Sequence, residues 1–202
     1  MRKFARFAAL SLSAAICAAD LRPLAAEELA VGAKAPAFSL VNAVDGKTVA
    51  MTPDDGFTKV VIFTRSQCPD AQAFEPRLIE IVNKWGHKGV RFYAVDPNDD
   101  ARDPEESLAN MRQRAEEKGY PFPYLRDGDS AIARAYGARV TPHVFVVDGT
   151  GVVRYRGYVD DHPEPSKRTT TGLTDALGAL LNGRDVATAE TRAFGCTIKW
   201  KS

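Results

Sequence analysis

Past residue 30, the order of apolar and polar positions predicts a sequence of strands and helices. In "ELAVGAKAPAFSLVNAVDGKTVAM", Phe38 and Leu40 alternate with polar or small neighbours. Asp45-Gly46 is a tight-turn dipeptide, and "KTVAM" reads as the returning strand of a hairpin. "KVVIF" (59–63) is a continuous apolar run, the pattern of a strand buried on both faces. After Cys68, Phe74, Leu78, Ile81, Val82 and Trp85 recur at helical spacing. Gly86 or Gly89 is the stop, and Pro76 inside the pattern predicts a kink. A second buried strand is expected over 90–99. A helix is expected over 103–119, with Asp103 as N-cap, Pro104 in the first turn, Glu106 at the capping-box position and Gly119 past the end. "YPFPYLRD" is short and extended, and "SAIARAYG" is a short helix. Two strands flank the Gly149-Thr150-Gly151 turn, and 170–183 is an amphipathic helix stopped by Gly183. This order predicts an α/β fold: a central mixed sheet with helices on both faces and an N-terminal hairpin extension.

The first 26 residues follow another rule. Arg2, Lys3 and Arg6 precede a short apolar run, Phe7 to Ala19, which suits a signal-peptide core and is too short to span a bilayer. With cleavage after Ala26, residues 27–183 form one domain and 184–202 a tail carrying Cys196. The expected location is periplasmic or secreted, with no stable membrane insertion after cleavage. Loss of four basic residues against Asp20 takes the net charge from +1 to −2, which gives no electrostatic case for a nucleic-acid partner. It also leaves two cysteines, Cys68 and Cys196, in a compartment that permits a disulfide.

Cys68 sits where a helix should begin. There, free backbone N–H groups and the helix dipole favour a thiolate, the nucleophilic form. Arg65 is close enough in sequence to add positive charge, and Asp70 opposes it. His143 could act as a proton carrier near Cys68 or point into the opposite layer. Cys196, 128 residues from Cys68, could resolve a Cys68 adduct, form a fixed disulfide, or stay unpaired. Ile198 and Trp200 argue that the tail docks on apolar surface. The aspartate-rich stretch 96–103 lacks calcium-loop spacing and reads as a solvated loop.

These residues resemble the thioredoxin fold, in its peroxiredoxin-like (AhpC/TSA, redoxin) branch. "VVIFT" runs into "SQCPDA", Pro76 follows eight residues after Cys68, Thr141-Pro142 precedes "HVFVVD", and the terminal "GCTIKW" resembles the end of a group of exported members. The resemblance implies a cis Pro142, with Thr141 presenting a backbone edge to an extended substrate. It also implies an exported thiol-based oxidoreductase in which Cys68 attacks a disulfide or peroxide and Cys196 or an external thiol resolves. The implied partners are protein or low-molecular-weight thiols and disulfides and a thiol reductant, with no cofactor and no metal. The sequence departs from both familiar patterns. Ala71 stands where a thioredoxin has its second cysteine, and Arg65 and Val61 replace the Thr/Ser and Pro that precede a peroxidatic cysteine. Two alternatives are a copper carrier using Cys68, His143 and Cys196, and a non-catalytic binding module on the same scaffold.

Overall fold

The computed structural model describes residues 28–201; the expected signal peptide lies outside the described residues. The N-terminal hairpin forms as expected, from β1 (Phe38–Asn42) and β2 (Thr48–Met51), with Gly46 in the left-handed region at the turn. Then come β3 (Thr58–Phe63), α1 (Pro69–Gly86), β4 (Val90–Asp96), α2 (Leu108–Lys118), β5 (Tyr124–Arg126) and α3 (Ala131–Tyr136). A short β6 (Val140–Thr141) leads into β7 (His143–Val147) and β8 (Val153–Gly157). The chain closes with α4 (Gly172–Leu181) and β9 (Cys196–Thr197). The main sheet has the order β2-β1-β5-β4-β3-β7-β8. Its centre, β5-β4-β3, is parallel and its flanks are antiparallel.

The continuous apolar run of β3 is explained by its two partners. Val60 and Ile62 face a core built with Phe74, Leu78 and Trp85 of α1, Met111 of α2 and Leu173 of α4. Val61 and Phe63 face the other layer, with Ala133 and Tyr136 of α3 and Ile198 of the tail. Side chains alternate across a strand, so a strand covered by helices on both sides needs apolar residues at every position. This two-layer burial aims the C-terminal end of β3 at the start of α1.

Two boundaries differ from the sequence reading. β4 stops at Asp96, because Asp96 Oδ1 accepts from both the backbone N–H and the side-chain amide of Asn98 and turns the chain out of the sheet. The helix expected over 103–119 is split. Pro104–Glu106 is a single 3₁₀ turn, and α2 starts afresh with Ser107 as its cap, accepting from Asn110 N at 3.4 Å. The physical reason is Glu106: its carboxylate does not cap this helix but turns inward to another loop, as described below. α1 runs through Pro76 without interruption.

Candidate active site

Cys68 is the N-cap of the 18-residue α1, with extended backbone angles, and its Sγ accepts from Ala71 N at 3.4 Å. Pro69 at the first helical position loses nothing by lacking an N–H there. Facing the cysteine is the Thr141-Pro142 peptide bond, which is cis as the resemblance implied. The carbonyl oxygen of Thr141 lies 3.1 Å from Cys68 Sγ. Cys68 is wholly buried.

The tail supplies the second sulfur. Cys68 and Cys196 form a disulfide, with Cα atoms 5.9 Å apart and 128 residues between them in sequence. The tail first runs along β8, where Arg156 N donates to Ala189 O and Thr191 N to Arg156 O, each at 3.0 Å. It then crosses to β6, and β9 pairs antiparallel with it, Thr141 opposite Cys196 and Val140 opposite Thr197. The edge expected to receive an extended substrate is therefore occupied by the protein's own chain. Gly195 permits this approach: a Cβ there would meet the Thr141 carbonyl oxygen at 2.1 Å, and its φ of 133° disfavours other residues. Beyond the bridge, Lys199 N donates to Asn98 Oδ1 and Asp99 N to Lys199 O. Ile198 is buried and the Arg134 guanidinium covers the Trp200 ring.

The loop before Cys68 is held by a side chain the sequence reading assigned elsewhere. The fully buried carboxylate of Glu106 accepts from Ser66 N at 3.0 Å and Gln67 N at 2.8 Å. Arg65 also donates to Glu106, through Nε at 3.1 Å, and forms an ion pair with Asp103. Its guanidinium is thus paired with two carboxylates. Ser66 Oγ meets Tyr124 Oη at 2.9 Å. Beside Glu106 lies Asp96, whose carboxyl pKa is pushed well above the usual carboxylate range by burial and by the Glu106 carboxylate. Glu106→Ala would leave the buried Ser66 N–H and the Gln67 N–H without their acceptor, and Arg65 with Asp103 alone. A loss of about 3 kcal/mol or more is expected, read as a fall in the thermal unfolding midpoint.

His143 takes no part in this grouping. Its ring tilts against Phe145 with centroids 4.6 Å apart, and it lines a cleft with Arg139, Arg156 and Arg192. Burial, then Arg156 and Arg139, lower its pKa to about 4 from 6.5. The folded imidazole therefore stays neutral while the unfolded one takes up a proton below pH 6.5. Stability should fall as pH drops from about 6.5 to 4, by up to roughly 3 kcal/mol at about 1.4 kcal/mol per pH unit. His143→Asn should flatten that part of the profile in unfolding measurements at pH 7 and 4.5. The residue that does stand beside the sulfurs is Asp70. Its carboxylate and both Sγ atoms lie within 4.8 Å of one another.

A buried parallel strand feeding a helix capped by cysteine, with a cis-proline strand across from it, defines a thioredoxin-like thiol protein. The Redoxin family profile matches residues 30–175, and the chain belongs to the Redoxin family. A solved structure of an uncharacterized conserved protein from Geobacillus kaustophilus is 38% identical, with a TM-score of 0.80 over 86% of this chain and 93% of that one. A thiol:disulfide interchange protein of the thioredoxin family from Chlorobium tepidum TLS is 25% identical, with a TM-score of 0.53 over 63% of this chain and 86% of that one. Among curated proteins, the thiol:disulfide interchange protein DsbE of Yersinia pestis is 29% identical over 66% of this chain and 67% of its own length.

Proposed function

We propose that the protein is an exported thiol-disulfide oxidoreductase whose working pair is Cys68 and Cys196. The observation that carries this reading is the pairing itself: the helix-capping cysteine and the tail cysteine stand in bonding contact beside Thr141 and cis Pro142. In the reduced protein, the N-terminus of α1 and the Ala71 N–H favour a Cys68 thiolate. That thiolate attacks one sulfur of a substrate disulfide and expels the other as a thiolate. Cys196 then attacks the Cys68 sulfur of the mixed disulfide. This releases the reduced substrate and leaves the internal bridge, which an external thiol must reduce for the next turnover. Thr141 and Pro142 shape the substrate edge once the tail has left it.

The curated relatives are named as thiol:disulfide interchange proteins and thiol-disulfide oxidoreductases, which favours disulfides over peroxides as substrate class. Arg65 and Val61, in place of the residues that precede a peroxidatic cysteine, weigh the same way. Export rests on the basic-then-apolar start of the chain. Among the described residues, no helix is long and apolar enough to cross a membrane.

Single-turnover oxidation tests the reading. Reduced protein is mixed with oxidised glutathione or hydrogen peroxide, and the Cys68–Cys196 bridge is followed by mass. Faster bridge formation with the disulfide is expected. A protein that glutathione disulfide leaves reduced, while peroxide oxidises it, would overturn the choice of substrate.

A further inference from the structure

We infer that electrons enter the oxidised protein at Cys196, so that the reducing thiol attacks the tail sulfur and Cys68 is the leaving group. This rests on the two-cysteine reading above and goes beyond it by assigning the attacked atom.

Thiol–disulfide exchange is an in-line displacement: the nucleophile must approach the attacked sulfur from the side opposite the sulfur that leaves. Cys68 is 0% exposed. The Thr141 carbonyl at 3.1 Å and the first turn of α1, with Ala71 N at 3.4 Å, cover it. Cys196 is only half-buried, on a two-residue strand at the protein surface. Once the bridge has closed, Cys196 is the one of the two bridged residues with exposed surface.

The chemistry of departure points the same way. The better leaving group is the sulfur whose thiolate is better stabilised. Cys68 caps an 18-residue helix and has a backbone N–H directed at its sulfur, and Cys196 has no helix behind it. Breaking the bridge toward Cys68 puts the electron pair where the fold already receives negative charge. Asp70 lies within reach of both sulfurs and does not by itself choose between them.

The steps balance as follows. An external thiolate forms a bond to Cys196 Sγ, the Cys68–Cys196 bond breaks, and the pair leaves on Cys68 as thiolate. A second external thiol, deprotonated, then attacks the reductant sulfur of the Cys196 adduct. This frees Cys196 and yields the reductant's own disulfide. Two thiols are oxidised, and the protein gains two electrons and two protons.

Peptide mapping tests the assignment. The fully oxidised full-length chain is treated briefly with 2-mercaptoethanol, quenched with acid, alkylated with iodoacetamide and digested with trypsin. The peptides "SQCPDAQAFEPR" and "AFGCTIK" separate the two cysteines from each other and from Cys17. At early times, the mercaptoethanol adduct should sit on Cys196 and the alkyl group on Cys68, with at least a tenfold excess over the reverse. Equal labelling, or the adduct on Cys68, overturns the inference, and so does an oxidised protein without the bridge. If the bridge forms and maps as expected but the protein exchanges with no disulfide substrate, the proposed function fails while the assignment stands.

Discussion

Cys68→Ser should reduce turnover of a disulfide substrate by on the order of 10³-fold or more, the scale of removing a nucleophile from a covalent mechanism. No other described residue offers a sulfur at the start of a helix, and Cys196, on its short strand, lacks the helix dipole that lowers the thiol pKa. The companion variant, Cys196→Ser, has a different signature. Its Cys68 can still attack, but nothing within the chain resolves the adduct. A Cys68 mixed disulfide should therefore accumulate and be visible by mass, while multiple turnover becomes dependent on added thiol. Insulin reduction or a fluorescent disulfide substrate reads the rates. Wild-type rates in Cys68→Ser would end the mechanism.

Reducing the bridge should lower the thermal midpoint by about 10 °C. Closing a loop of this length stabilises a protein by about 4–5 kcal/mol on the chain-entropy account, largely by restricting the unfolded chain. In a domain of this size each kcal/mol moves the midpoint by roughly 2–4 °C. The tail keeps its other anchors on reduction: Asn98, Asp99, Ser130 and Arg134 all bond to residues 199–201. The native fold should thus persist, and calorimetry should return a single, lower transition that Cys196→Ser reproduces without reductant. A shift below about 2 °C would mean that the unfolded chain gains little freedom from the cut.

The parts of this architecture that were legible in the sequence depend on neighbours a few residues apart. The run at 59–63, the Asp45-Gly46 turn and the helix after Cys68 report local periodicity, and they held. Thr141-Pro142 is locally ambiguous, since most such bonds are trans, and only the resemblance pointed to cis. Glu106 shows why the rest was hidden. By spacing it looks like a capping-box residue, but its real partners are backbone groups 39 and 40 residues earlier, and burial at that loop outweighs a solvated cap. Once it turns inward, Ser107 takes over the cap. His143 was open between two sides of its strand, and the cleft it lines is completed by Arg156 and Arg192, far along the chain. That Cys196 reaches Cys68 could not be read from spacing, because the cost of closing a loop grows only slowly with its length.

The pairing of β9 with β6 makes this protein its own first ligand. A tethered strand competes at an effective concentration that a short flexible connection can hold near the millimolar range. A free peptide presented to the same edge must outbid that occupant, and while the bridge stands the occupant cannot leave. On the function proposed above, the redox state of this sulfur pair sets whether that edge is open to other chains, and substrate affinity measured on a mixed population would report the fraction reduced.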